Sequence, residues 1–215
     1  MIILTGASGG IGTAILSDLS RLDNVIAVYN KKRPNIEELK NVEWVQVDLS
    51  DEAKIKDFAN DVKSSISKIT LIYTAAITID KLTWQLDVND WQEVLDTNLK
   101  SNFLLTKEFL FPMIKESWGR IIHFSSIAGN RGAIGTLAYS ASKSGILGMS
   151  KVLAKEYGKF GITSNVITPG YIDTGLIELL TEEGKEEALK TIPLGKFGDP
   201  SNIVNAIEFI IKSDY

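Results

Sequence analysis

Six short runs of the chain are rich in apolar and β-branched residues, at positions 2–5, 25–29, 42–47, 69–75, 120–124 and 164–168, the first, second and fourth almost without a break. Unbroken rather than alternating hydrophobicity is what a strand buried on both faces requires, so these runs predict a parallel sheet covered on each side by helices. The covering helices are predicted over 11–22, 52–67, 90–115, 139–160 and 201–212, where apolar residues return at the helical period. Pro112 lies inside the third and is expected to end or kink it, because proline removes a backbone donor and crowds the preceding turn. Apart from the step between 25–29 and 42–47, strand and helix alternate along the chain, which defines an α/β protein. Right-handed crossovers wind such units into a doubly wound sheet, with expected order 3-2-1-4-5-6 and ligands at the carboxyl ends of the strands. The stretch 171–198 departs from this rhythm. It holds an isolated helical pattern over 176–190 between Pro169-Gly170 and Pro193-Leu194-Gly195, where a mobile substrate cover is expected.

Composition narrows the chemistry. The 215 residues suit one domain, and no repeat or linker divides them, so residues 1–215 are expected to form a single domain. Cysteine is absent and His123 is the one histidine, which excludes thiolate nucleophiles, disulfides and a polyhistidine metal centre; no metal is expected. With 23 Lys+Arg against 27 Asp+Glu, a net charge of −4 and no run of five like charges, a nucleic-acid surface has no support. No apolar stretch approaches the roughly 20 residues of a membrane span, and the short opening run flows directly into a glycine-rich turn without forming an export signal. A cytoplasmic protein is expected, with neither nucleic acid nor membrane as partner.

The first strand is followed at once by Thr5-Gly6-Ala7-Ser8-Gly9-Gly10-Ile11-Gly12 and then a helix. Glycines at such a junction let the backbone turn tightly and approach a pyrophosphate, while the helix N-terminus offers N–H donors to the anion. Strand, turn and helix together predict a Rossmann-type dinucleotide site built on Gly6, Ser8, Gly9, Gly10, Ile11 and Gly12. The second strand ends in Tyr29-Asn30-Lys31-Lys32-Arg33, with no acid at its tip. An acid there would bind the ribose 2′-OH of NAD, whereas cations accommodate the extra phosphate of NADP; NADP(H) is therefore favoured, with Asn30, Lys31 and Lys32 near that phosphate, and NAD(H) is the alternative. Asp48, followed by Leu49 at the end of the third strand, could accept from the adenine amino group or could cap the helix beginning near Glu52.

Tyr139 and Lys143 stand at i, i+4 near the start of a predicted helix, which places phenol and ammonium on one face. A nearby cation stabilises phenolate and lowers the tyrosine pKa. Such a pair alone would describe an ordinary amphipathic helix. Here Ser125-Ser126 closes the fifth strand 13 residues before Tyr139, and Asn98 lies within a predicted helix. With the glycine turn and the later Pro169-Gly170, these motifs resemble in order and spacing the short-chain dehydrogenase/reductase family. Within it, the 3-oxoacyl-(acyl carrier protein) reductases are nearest in pattern, through Gly119-Arg120-Ile121-Ile122, the stretch 139–148 and Gly161-Ile162-Thr163-Ser164-Asn165. The resemblance implies hydride transfer between a nicotinamide and a ketone or secondary alcohol. By position it makes Tyr139 the general acid or base, Ser126 the donor to the substrate oxygen and Lys143 the group that lowers the tyrosine pKa and holds the ribose. Asn98 would support a proton-relay water. Ala75 and Ala76 would border the cofactor, Pro169, Gly170 and Ile172 would hold the nicotinamide, and Thr174 would lie near the pyrophosphate. Ser125 competes with Ser126, and spacing to Tyr139 favours Ser126.

The chain departs from the family pattern in three places. Tyr73-Thr74-Ala75-Ala76 stands where the family has Asn-Asn-Ala-Gly, so the bonds of those asparagines must be lost or rebuilt. Ser117, Trp118 and Phe160 occupy positions where carrier-protein reductases tend to hold basic residues, which weakens that reading and leaves a sugar or polyol dehydrogenase, or a non-catalytic NADP-binding regulator, as alternatives. The family's seventh strand is absent. Self-association is expected through the helices at 90–115 and 139–160, with a small carbonyl compound as substrate. Loops 78–85 and 129–137 and the segment after Pro169-Gly170 would set specificity. His123 reads as a buried structural residue, and Trp84, Trp91, Trp118 and the stretch Phe109–Phe111 as core or subunit contacts.

Overall fold

The computed structural model describes residues 1–215, the side chains of Leu176 and Leu179 excepted. Its strands are β1 (Ile2–Thr5), β2 (Val25–Tyr29), β3 (Val42–Gln46), β4 (Thr70–Tyr73), β5 (Gly119–Phe124) and β6 (Ile162–Ile167). The helices are α1 (Gly10–Leu22), α2 (Glu52–Val62), α3 (Val88–Leu95), α4 (Ser101–Glu116), α5 (Ile127–Arg131), α6 (Leu137–Tyr157), α7 (Glu182–Lys190) and α8 (Pro200–Lys212). All strands pair in parallel in the order β3-β2-β1-β4-β5-β6, as the alternating pattern predicts. Because side chains alternate across a strand, each central strand feeds two cores. Ile3, Leu71 and Ile121 pack with Phe58 of α2 and Phe109 of α4 on one face; Leu4, Ile72 and Ile122 pack with Leu16 of α1 and Ile207 of α8 on the other. No described helix is long and apolar enough to cross a membrane.

Several boundaries differ from the sequence expectation for local reasons. β4 stops at Tyr73 rather than 75 because its partner β1 ends at Thr5; beyond it the Thr74 hydroxyl donates to the Thr5 carbonyl at 2.6 Å in place of a ladder bond. α2 ends at Val62, five residues early, where the Ser65 N–H and hydroxyl both donate to the Val62 carbonyl, an alternative that serine offers to the helical ladder. The expected helix 90–115 is broken, but not by proline. Pro112 lies inside α4, which runs on to Glu116; the interruption is a π turn over Asp96–Lys100 between α3 and α4. The pattern over 176–190 resolves into a 3-10 turn, Gly175–Leu179, and α7.

β6 has β5 as its one strand neighbour among the described residues. The chain end folds back on this side of the sheet. The Asp214 carboxylate accepts at 2.8 Å from the guanidinium of Arg120, which is 1 % exposed and stacks over the Trp118 ring.

Candidate active site

The carboxyl ends of β1, β2, β3 and β4 surround a cleft of about 240 Å³. The backbone of its floor is specific to glycine. Gly6 has a φ of +68°, and a Cβ there would stand 2.5 Å from the Ala75 nitrogen; a Cβ on Gly12 would stand 2.1 Å from the Gly6 carbonyl oxygen. The post-β4 chain and α1 therefore both close on this turn, leaving an open cradle beside them, the space that a pyrophosphate needs. Of the residues expected at a cofactor, Gly6, Ser8, Gly9, Asn30, Asp48, Leu49, Ala75 and Ala76 line this cleft. So do Tyr29, Val47, Ser50, Thr74, Ile77 and Thr97, which the motifs did not single out. Their signal was positional, since each lies next to a predicted strand end or, for Thr97, next to Asn98.

Other expected cofactor residues take places around the cleft. Gly10 lies against Gly175, with the Thr174 hydroxyl also close to it, so Thr174 does reach the glycine turn. Ile11 and Ile172 pack against the core on the α1 and α8 side. Pro169 and Gly170 follow β6, Gly170 being exposed. Lys31 and Lys32 are exposed at the end of β2. Asp48 is held below the ordinary carboxylate range mainly by the Ser50 hydroxyl and N–H, with the charges of Lys54 and Lys31 assisting. It is not the helix cap. Asp51 caps α2, accepting from the N–H groups of Ala53 and Lys54 at 2.8 and 3.3 Å, which leaves Asp48 facing the cleft.

Tyr139 stands in the first turn of α6 and Ser126 caps α5, accepting from the Ala128 N–H at 3.2 Å. The Ser126 side chain lies close enough to the phenol of Tyr139 to act on its titration. Burial pushes the phenol above the ordinary tyrosine value; Ser126 opposes that shift and the charge of Asp80 adds to it. Lys143, 3 % exposed, lies one helical turn on, its Nζ 5.6 Å from the Tyr139 ring centre and donating to the Phe124 carbonyl at 2.8 Å. Burial lowers its pKa to about 8. The resemblance makes Lys143 the group that lowers the tyrosine pKa; in this arrangement the ammonium is turned to the Phe124 carbonyl, and burial of the phenol sets the direction of the shift. Ser125, the competitor of Ser126, points away: its hydroxyl donates to the Lys143 carbonyl at 2.9 Å.

Asn98 sits in the π turn and is fully buried. Its carboxamide closes a reciprocal pair with Ile77, accepting from the Ile77 N–H and donating to the Ile77 carbonyl, both at 2.8 Å, and also donates to the Ser142 hydroxyl at 3.2 Å. Ser142 in turn donates to the Tyr139 carbonyl at 2.7 Å. Asn98 thus ties the cleft wall to the helix that carries Tyr139 and Lys143. Ser142 was invisible to motif reading, since only its partners give it a role. Around the site, loops 78–85 and 129–137 meet where the Lys81 N–H donates to the Gly135 carbonyl at 2.9 Å. The segment 171–198 is closed at its base by the Gly198 N–H donating to Tyr171 and the Asp173 N–H to Gly198, each at 2.8 Å.

The aromatic residues divide. Phe109 is core, whereas Trp84 and Phe111 are 80 % and 70 % exposed.

A parallel sheet of this order, a glycine turn at its carboxyl edge and a Ser-Tyr-Lys cluster beside it define a nucleotide-dependent oxidoreductase of the short-chain type. The model of the family described as short chain dehydrogenase matches residues 1–185, and the chain belongs to that family. Among curated relatives, a 3-oxoacyl-(acyl-carrier-protein) reductase FabG of Aquifex aeolicus is 34 % identical, over 97 % of this chain and 88 % of its own. A protein of the same name from Rickettsia bellii is 36 % identical, over 97 % and 87 %. Among solved structures, a candidate gluconate dehydrogenase of Agrobacterium tumefaciens superposes with a TM-score of 0.90 at 27 % identity, covering all of this chain and 90 % of that one.

Proposed function

We propose that this chain is an NADP(H)-dependent carbonyl reductase that interconverts a ketone and a secondary alcohol, with 3-oxoacyl thioesters as the leading substrate class. The observation that carries the reading is the convergence of Ser126, Tyr139 and Lys143 beside a cleft walled by the glycine turn. The cleft residues fit a dinucleotide: Gly6, Ser8 and Gly9 would hold the pyrophosphate and Asp48 and Leu49 the adenine, while Lys31 and Lys32, exposed outside the cleft at the end of β2, would meet the 2′-phosphate. When bound, the nicotinamide supplies or accepts the hydride. As charge grows on the carbonyl oxygen, Ser126 donates a hydrogen bond to it and Tyr139 delivers the proton. A phenol pushed up by burial is protonated at neutral pH and ready for that role. Lys143 keeps a proton beside it, and Asn98 fixes the helix that presents both.

The segment 171–198, pinned at its base, serves as the substrate cover. Phe103 and Phe111 on α4 and Val152 on α6, each more than half exposed, support pairing of two chains through these helices, in the cytoplasm. A sugar or polyol substrate is the second reading, favoured by the likeness to the gluconate dehydrogenase and by Ser117, Trp118 and Phe160 in place of carrier-docking cations.

The test is titration of wild type and Tyr139→Phe with NADPH and NADH by tryptophan fluorescence, then turnover on 3-oxoacyl thioesters, simple ketones and aldonates. Tyr139→Phe is expected to bind NADPH as wild type does and to lose about 10²–10⁴ in rate. Full turnover in that variant would overturn the assignment, and preference for aldonates would select the second reading.

A further inference from the structure

His123 occupies the middle of the sheet without exposure, and nothing in the proposed chemistry uses it. It pairs in register with Tyr73 of β4, and the two rings stack with centres 5.0 Å apart and planes 11° from parallel. The Tyr73 hydroxyl bonds the Thr106 hydroxyl at 2.7 Å. His123 Nδ1 lies 3.1 Å from Asn102 Oδ1, and Asn102 Nδ2 donates to the Asn98 carbonyl at 2.9 Å. An unbroken polar chain therefore runs from the imidazole through α4 to the π turn.

The chemistry of that chain fixes its protons. A carbonyl oxygen only accepts, so the Asn102 carboxamide must show its nitrogen to Asn98 and its oxygen to the ring. Two acceptors cannot face one another, so Nδ1 carries the hydrogen and Nε2 is bare. Nε2 is indeed buried without a partner, and a bare acceptor there is a milder defect than an orphaned N–H. Burial, with the Lys143 charge assisting, holds the ring neutral by lowering its pKa to about 3.

We propose that His123 and Asn102 are positioning residues for the π turn: the Nδ1–H of His123 fixes the Asn102 carboxamide, which donates to the Asn98 carbonyl and sets Asn98 between Ile77 and Ser142. The kinetic part of this inference rests on the proposed reductase activity; the tautomer does not.

His123 is the single histidine, so imidazole ¹⁵N labelling reports on it alone. Long-range ¹H–¹⁵N correlation of the full wild-type chain should show the neutral Nδ1–H form, and Asn102→Leu should release the ring to the other tautomer or to exchange between the two. A wild-type Nε2–H form, or a tautomer unchanged in Asn102→Leu, would overturn the proposal. In turnover, His123→Phe keeps the stack on Tyr73 but has no donor, whereas His123→Asn keeps a donor near Nδ1. His123→Phe should lose about tenfold to a hundredfold in kcat through misplacement of the turn, with KM and NADPH affinity held, and His123→Asn should recover most of it. Wild-type kcat in His123→Phe, or equal loss in both variants, would refute the positioning role. A wild type inert on every carbonyl compound would refute the reductase reading instead, while the spectrum still judges the pair.

Discussion

Lys143 offers the sharpest physical test of the site, because its buried ammonium must leave a signature in stability that no surface lysine leaves. The folded pKa falls from the ordinary 10.5 to about 8 through desolvation. Between those two values the unfolded chain holds the proton and the folded chain releases it. Unfolding therefore takes up a proton, and raising the pH through this window stabilises the fold. The gap corresponds to about 3 kcal/mol. That is an upper value, since the 2.8 Å bond to the Phe124 carbonyl favours the charged form and works against the desolvation. Lys143→Met has a similar stem and no proton to lose. Urea unfolding of both proteins from pH 7.5 to 10.5 should show wild type gaining up to about 3 kcal/mol on the variant, the other lysines and tyrosines cancelling in the difference. At pH 7 relief of the buried charge is offset by an orphaned carbonyl, costing about 1–3 kcal/mol, so the difference there is small and the slope carries the information. Parallel profiles across the window would mean that Lys143 is solvated and that its poise is not built into the fold.

Two further outcomes rest on the glycine turn and on His123. Gly12→Ala places a Cβ 2.1 Å from the Gly6 oxygen and 2.9 Å from the Ala7 Cα, backbone atoms with no room to yield; it should cost at least about 1–3 kcal/mol in urea unfolding and weaken NADPH binding in a fluorescence titration. His123 should make wild type acid-sensitive: below the ordinary value of 6.5 the unfolded chain takes a proton that the folded ring refuses down to about 3. Stability should fall through that range by up to about 5 kcal/mol more than in His123→Phe, measured by unfolding at stepped pH.

How much of this was legible in the sequence depends on how far away each cause lies. The four central strands were readable because burial on both faces needs only the strand's own residues to be apolar, whereas the edge strands β3 and β6 are only partly buried, and the Gly6–Gly12 turn was readable because it joins adjacent elements. The Tyr139–Lys143 pair was readable for the same reason, one helical turn holding both. The π turn was not. It depends on what Asn98 finds at Ile77 and Ser142, 21 and 44 residues away, and local periodicity through 90–115 records only that a helix is possible there. Proline drew attention to the wrong place, since Pro112 bears on the backbone of its own turn whereas the actual break is set by tertiary bonds. The direction of the Tyr139 shift was likewise hidden: spacing put Lys143 on the right face, but only the fold shows its ammonium turned to Phe124 and the phenol desolvated.

The replacement of the family's Asn-Asn-Ala-Gly by Tyr73-Thr74-Ala75-Ala76 shows how one departure obliges others. Thr74 rebuilds a bond to the neighbouring strand by donating to the Thr5 carbonyl. A tyrosine at 73 brings a large ring and a hydroxyl into a dry layer, and both must be satisfied there. Thr106 takes the hydroxyl and the flat ring of His123, its register partner, takes the face. An imidazole so placed needs a partner for its own polar edge, which Asn102 supplies, and Asn102 then reaches the carbonyl of Asn98. Each member answers a demand created by the one before, so the set acts as a unit. Paired substitutions within it, such as Tyr73→Phe with Thr106→Val, should cost less together than the single changes summed, because removing both ends of a buried hydrogen bond leaves nothing unpaired.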